Sequence, residues 1–155
     1  MKKMGKKKDE ASVRDLFLNT LTKIGCKYTI DEEDGEICFA FQGEDFYAWT
    51  RGNFYLDIWD YCWMSRELSD VDGIARLKKL INEANSMYGV STVYSVNEKS
   101  GRLNVHCTDV IPFIPQITEI EDYLKMEMHQ FFRVHRYIEI EDEKLMNEGK
   151  CEYLS

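Results

Sequence analysis

The order of the first strands is set by residues 26–64, which read CKYTIDEEDGEICFAFQGEDFYAWTRGNFYLDIWDYCWM. Apolar and polar residues alternate on both sides of Asp34-Gly35, and Asp-Gly between alternating runs is a strong signal for a β-hairpin. Two further reversals are indicated by Gln42-Gly43 and Arg51-Gly52. The segment therefore predicts an antiparallel meander of four strands.

Helices are predicted on both sides of the meander, because apolar residues recur there three and four positions apart. Upstream, a Ser-x-x-Asp start at Ser12 and a stop at Gly25 predict an amphipathic helix over about 11–24. Downstream, apolar residues three and four apart predict a second helix from Ser69 or Asp70 to near Tyr88. A hairpin over 90–96 and 103–110 follows, and Thr118-x-x-Glu121 opens a final helix.

The predicted fold class is α+β, with an antiparallel sheet in the order α-β-β-β-β-α-β-β-α and the helices packed on one face. The predicted boundaries are a disordered basic tail over 1–10, a single domain over 11–142 and a C-terminal tail over 143–155. Three helices cover only one face of so wide a sheet. The other face must meet water, bind a partner or close a dimer.

The charge distribution argues against nucleic acid as a partner. The chain has 155 residues, 28 acidic against 20 basic, and a formal charge of -8. Five of the basic residues lie in the first eight positions, so the remainder of the chain is strongly acidic and repels phosphate backbones. No apolar run approaches the ~20 residues of a membrane span, and no apolar segment follows the lysines as in a signal peptide. We therefore expect a cytoplasmic protein that binds no membrane.

The residues that usually carry chemistry form no recognisable motif. The five cysteines are odd in number and include no Cys-x-x-Cys pair, which favours reduced thiols. His129 and His135 are six residues apart on a helix and cannot converge on one zinc ion, while His106 and Cys107 are adjacent in a strand and point to opposite faces. Glycine-rich phosphate loops are absent as well. The sequence predicts no catalytic residue, no metal site and no cofactor.

One strand is unusually rich in large rings. Between Phe54 and Met64 the even positions are mostly aliphatic, whereas the odd positions include Tyr55, Trp59, Tyr61 and Trp63. Tyrosine and tryptophan are enriched at the centres of protein interfaces. These four residues are the predicted partner-binding site. The alternative is a central strand whose second face is covered by the chain itself.

Several short patterns resemble the bacterial YbjN-like family of proposed sensory transduction regulators, whose fold resembles that of type III secretion chaperones. They are Leu16-Phe17, Ile24-Gly25, the acidic tip Asp31 to Gly35, Ile81-Asn82-x-x-Asn85 and Phe131-Phe132. The resemblance covers about residues 11–140. It implies a curved antiparallel sheet backed by helices, frequent dimerisation, action through protein contacts and no known catalysis. For Asn82 and Asn85 we predict a structural role, since asparagine late in a helix bonds freed carbonyls or the next turn.

These observations favour a non-enzymatic interaction module, chaperone-like or regulatory, which binds a protein partner or itself, as a homodimer, through a sheet face. The alternative is a small-ligand-binding or enzymatic domain. Its pocket would lie between the sheet and the C-terminal helix and would use Cys38, His106, His135 or the tyrosines.

Overall fold

The structure of the protein is a computed structural model that describes the backbone of residues 4–154 and the side chains of residues 13–149. Its elements are α1 (Met4–Lys23), β1 (Tyr28–Ile30), β2 (Ile37–Phe41), β3 (Glu44–Arg51), β4 (Tyr55–Glu67), α2 (Val71–Met87), β5 (Ser91–Asn97), β6 (Arg102–Pro112) and α3 (Ile120–Leu154). The strands form one antiparallel sheet in the order β1-β2-β3-β4-β6-β5. The α+β class, the element order and the four-strand meander are thus confirmed.

Both terminal helices are longer than predicted, and the boundaries of the two tails stay a prediction. The first helix begins at Met4, so residues 4–10 are helical, and α3 continues to Leu154 through residues 143–154. Both segments are rich in lysine, glutamate, methionine or leucine, which are good helix formers, and neither contains proline. Their helical propensity therefore continues the helices through these charged segments. The predictions for residues 1–3 and Ser155 lie outside the described residues. The final helix begins at Ile120, two residues after the predicted start, because Glu119 has a positive φ of 55°.

The chain divides into two compact units. The first comprises Met1–Asp60 and Asp109–Met128, and the second comprises Tyr61–Thr108 and His129–Ser155. Three elements, β4, β6 and α3, contribute residues to both. The single domain over 11–142 stays a prediction, and each unit is described below by itself. No helix within residues 4–154 is both long and apolar enough to cross a membrane.

The core of the first unit is built from phenylalanine. The Phe17 ring of α1 meets Phe39 of β2 edge-on at a centroid distance of 5.5 Å and Phe113 at 5.6 Å. Phe39 stacks in turn on Phe46 of β3. All four rings are buried. Alternate residues of β2, β3 and the first part of β4 are buried with them, as expected for strands that present one face to a helix: Ile37, Phe39, Phe41, Phe46, Ala48, Leu56 and Ile58.

The second unit is organised by α2. Its predicted start is confirmed, since the Asp70 side chain accepts a hydrogen bond of 3.0 Å from the Gly73 N–H at the helix N-terminus. A Cβ at Gly73 would overlap the Asp70 carboxylate, so a larger residue there would require the Asp70 side chain to shift. The buried stripe of the helix is Leu77, Leu80, Ile81 and Ala84.

The asparagines of the second helix differ in their surroundings. Asn85 donates from Nδ2 to the Thr92 carbonyl at 3.0 Å and accepts from the Thr92 N–H at 2.7 Å. The predicted structural role is therefore confirmed for Asn85, although its partner is a strand residue instead of a helix carbonyl. Asn82 is exposed.

Tyr123 provides a pH-dependent reporter of the first unit. Its hydroxyl donates a hydrogen bond of 2.7 Å to the Pro112 carbonyl. Burial, followed by the charges of Glu127 and Asp109, raises the pKa of Tyr123 to about 12. Folding therefore favours the neutral phenol. Its contribution to the free energy of unfolding is complete below the pKa of an unfolded tyrosine, about 10. The contribution is lost as the pH rises from about 10 through 12.

We expect Tyr123→Phe to remove the phenolate that ionises near pH 12 from the ultraviolet titration of the folded protein. The same substitution should flatten the fall in stability between about pH 10 and 12. Tyr94→Phe serves as a control because Tyr94 is exposed. A difference spectrum that already appears at pH 10 would contradict the assignment.

Candidate interaction surface

The first unit presents a row of rings on the side of β3 and β4 opposite the phenylalanine core. In the antiparallel register, Tyr47 lies opposite Trp59 and Arg51 lies opposite Tyr55. Directly opposed residues share a face of the sheet, and residues two apart along a strand share it too. Trp49 therefore joins these rings, while Phe46, Ala48, Leu56 and Ile58 point to the buried side. We call Tyr47, Trp49, Tyr55 and Trp59 the aromatic face.

The rings of the aromatic face remain partly accessible to solvent. Tyr55 is 45% exposed, and Tyr47, Trp49 and Trp59 are half-buried. Each carries a large apolar surface together with an O–H or N–H group, a combination suited to contacts that are partly wet. Sequence reasoning found Tyr55 and Trp59 but missed Tyr47 and Trp49. The signal was present, because Phe46-Tyr47-Ala48-Trp49 alternates in the same way as β4.

Carboxylates surround this face. Asp57 lies opposite Trp49 and forms an ion pair of 3.2 Å with Arg51. Cys38 and Tyr47 are directly opposed and lie on this side of the sheet. Glu36 is two residues from Cys38, and Asp45 is two residues from Tyr47, so both carboxylates lie on the same side. The aromatic face thus combines rings with a negatively charged border.

Cys38 and Tyr47 hydrogen-bond through their side chains, and the pKa values of both groups are raised. Burial raises the pKa of the Cys38 thiol, and the nearby charges of Asp45 and Glu36 raise it further. The charge of an ionised Cys38 raises the pKa of Tyr47, with burial and Asp45 acting in the same direction. A raised thiol pKa means little thiolate at neutral pH, so Cys38 lacks the activation expected of a nucleophile.

The other two predicted site residues lie in the second unit. The regular alternation of β4 is interrupted at Cys62, whose φ is 53°. Tyr61 is 40% exposed and meets the His106 ring edge-on. Trp63 stacks on His135 of α3 at 4.1 Å. Tyr61 and Trp63 are assigned to the second unit, and their role in binding a partner stays a prediction.

His106 is held by hydrogen bonds in the second unit. Its Nδ1 accepts from the Cys62 N–H at 2.9 Å, and its Nε2 lies 2.8 Å from the Ser95 hydroxyl. A ring nitrogen that accepts from a backbone N–H carries no proton, so in neutral His106 the proton is on Nε2 and is donated to Ser95. Cys107 points the other way, with its sulfur 3.6 Å from the Thr92 hydroxyl. The expected opposite orientation of His106 and Cys107 is confirmed.

A groove of about 340 Å³ lies in the second unit between the end of α2 and α3. It is lined by Tyr88, Arg133, Arg136, Tyr137, Ile140 and Glu141. The Arg133 guanidinium lies over the Tyr88 ring at 5.8 Å, and the Tyr137 hydroxyl donates to Glu83 at 3.1 Å. Of the residues named for the alternative pocket, Cys38, His106 and His135 do not line this groove, whereas two tyrosines, Tyr88 and Tyr137, do. The small-ligand-binding or enzymatic alternative stays a prediction.

The six-stranded antiparallel sheet and three helices define an α+β protein, and the aromatic face is its candidate binding surface. No known protein family matches the chain, and no curated protein matches it. A solved structure of an uncharacterized protein from Methanothermobacter thermautotrophicus is similar, with a TM-score of 0.57 and 14% identity over 85% of this chain and 97% of that chain. This similarity shows the fold alone, and the resemblance to the YbjN-like family stays a prediction.

Proposed function

We propose that the protein is a non-enzymatic interaction module, chaperone-like or regulatory, which binds a basic segment of a protein partner through the aromatic face. The observation that supports this proposal is the arrangement of four partly accessible rings on one face of β3 and β4, bordered by Glu36 and Asp45. Asp57, between the rings, is already paired with Arg51.

The chemistry of this face matches arginine and lysine side chains that alternate with apolar residues. A guanidinium or ammonium group is attracted to the face of a tryptophan or tyrosine ring, and the attraction grows when the group is partly desolvated. The neighbouring carboxylates compensate the charge of the bound cation. Apolar residues of the same segment cover the remaining ring surface, as at the centre of an interface.

The charge of the whole chain acts in the same direction. A formal charge of -8 attracts basic segments over distances up to the Debye length and speeds their association. Among the described cysteines, Cys26, Cys38, Cys62 and Cys107 form no disulfide. Reduced thiols support our proposal of a cytoplasmic location.

We expect Trp59→Ala to weaken binding of a peptide with alternating arginine and leucine by about 2 kcal/mol, or roughly 30-fold, as for the loss of a central aromatic anchor. Titration followed by tryptophan fluorescence or calorimetry measures the change. Tyr28→Ala is the matched control, because Tyr28 is an exposed ring of the first unit that lies opposite the buried Phe39 and therefore on the other side of the sheet. Thermal unfolding of each variant checks that the protein still folds.

Two further outcomes distinguish a specific site from general charge attraction. A peptide with glutamate in place of arginine should not bind. Higher salt should weaken binding of the arginine peptide, while the difference between Trp59→Ala and Tyr28→Ala persists. Equal losses in the two variants, or unchanged affinity in Trp59→Ala with the fold intact, would refute the proposed surface.

A further inference from the structure

The groove at the end of α2 lies within the second unit and is lined mainly by one stripe of α3. The α3 residues recur at intervals of three and four, so their side chains are neighbours on the helix surface: Arg133, Arg136, Tyr137, Ile140 and Glu141. Tyr88 completes the lining. The volume of about 340 Å³ is at the lower end of the range for ligand pockets, roughly 300–1,000 Å³. The groove therefore has the size of a small molecule, and we call it the arginine groove.

Two guanidinium groups line the arginine groove without an anionic partner. Arg133 donates to the neutral side-chain oxygen of Gln130 at 3.4 Å and lies over the Tyr88 ring. Within residues 13–149, neither Arg133 nor Arg136 forms an ion pair, although the chain has more acidic than basic residues. Arginine carries five N–H donors in a planar fork that matches a carboxylate. Both groups therefore retain donors for a bound anion.

The carboxylates close to the arginine groove already have donors of their own. The Tyr137 hydroxyl donates to Glu83 at 3.1 Å, and the Lys144 ammonium group donates to Glu141 at 3.1 Å. With the two arginines, these groups comprise three cations and two carboxylates, which leaves one positive charge in excess. A carboxylate ligand neutralises that charge. A phosphate monoester, at about −1.5 to −2, would bring more negative charge than the groove compensates.

The remainder of the groove is apolar and aromatic. The rings of Tyr88 and Tyr137 lie 5.8 Å apart between centroids, at an interplanar angle of 59°. The side chain of Ile140 is 42% exposed. Aromatic rings associate at centroid distances of roughly 4.5–7 Å in tilted or offset arrangements. The two tyrosines therefore form a corner suited to a further flat ring.

We infer that the arginine groove binds a small aromatic carboxylate. The carboxylate of the ligand accepts from Arg133 and Arg136, which are three residues apart on one helix and reach the same anion. The aromatic ring of the ligand packs against the two tyrosines and Ile140. This site uses only residues of the second unit and does not depend on the aromatic face.

The test is calorimetric titration of the full chain with naphthoate as the probe. We expect saturable binding of one naphthoate per chain. Arg136→Gln should raise the dissociation constant at least ~10-fold, as for the loss of hydrogen bonds to a charged group. Lys99→Gln removes the same charge from an exposed turn and is the matched control, expected to change the constant less than about 2-fold.

A second pair of variants tests the apolar wall. Ile140→Glu should raise the dissociation constant for naphthoate at least ~10-fold, because it places a like charge beside the ligand. Met146→Glu introduces the same charge on α3 at an exposed residue that does not line the groove, and should bind as the wild type does. Thermal unfolding checks that each variant is folded.

Two related compounds test which part of the ligand is recognised. Naphthyl methanol has the same rings without the charge, and naphthyl phosphate carries more negative charge. We expect both to bind more weakly than naphthoate. The inference would be overturned by an absence of saturable naphthoate binding, by equal losses in Arg136→Gln and Lys99→Gln, or by tighter binding of either related compound.

Discussion

Phe17→Ala is expected to lower the free energy of unfolding by about 3–5 kcal/mol, the range for deleting a large buried ring. Phe17 is 0% exposed and contacts Phe39 and Phe113 edge-on. Truncation leaves a cavity between α1 and the sheet residues of the first unit and removes two favourable aromatic contacts. Urea unfolding, followed by tryptophan fluorescence and by circular dichroism, measures the loss.

The chain offers a matched control for this prediction. Phe54 is the same residue type but is 60% exposed, so Phe54→Ala should change stability by no more than about 0.5 kcal/mol. Similar losses in the two variants would show that Phe17 does not anchor the core.

Asp142→Ala is expected to lower the free energy of unfolding by ~3 kcal/mol, because it breaks a buried ion-pair network. Asp142 of α3 is 4% exposed. One carboxylate oxygen accepts from Arg66, and the other accepts from Arg76 Nε at 3.1 Å. The substitution leaves two partly buried guanidinium groups without their shared anion. The same unfolding experiment detects the change.

Two companion variants separate charge from packing. Asp142→Asn keeps the shape but has no negative charge and should also destabilise the protein substantially. Glu139→Ala removes an exposed carboxylate from the same helix and should lie within about 0.5 kcal/mol of wild type. If Asp142→Ala were as mild as Glu139→Ala, the network would contribute nothing measurable to stability.

Local patterns predicted most of the elements because the relevant signals lie within a few residues. Asp34-Gly35 indicated the first hairpin, and Asp70 indicated the start of α2, where the structure shows its side chain on the Gly73 N–H. The first and last helices were predicted too short because charge runs also occur in solvated helices. Helical propensity extends α1 to Met4 and α3 to Leu154.

The candidate site was only partly predictable. Alternation in β4 identified Tyr55 and Trp59, and it predicted a row that continues without interruption through Tyr61 to Trp63. Nothing in the residue types announces the positive φ of Cys62, since cysteine rarely adopts that conformation. The interruption therefore became visible only in the folded chain.

Periodicity, turn residues and capping residues are properties of neighbouring positions, and so the amino-acid sequence was sufficient for the α+β class, the meander and the helix start at Asp70. Pairing across the sheet depends on residues far apart in the chain. Only the folded structure places β6 beside β4, sets Tyr47 opposite Trp59, and brings the Asn85 side chain onto the Thr92 backbone. A shift of one residue in any strand would exchange its faces, and register is selected by the burial of one face of the sheet as a whole.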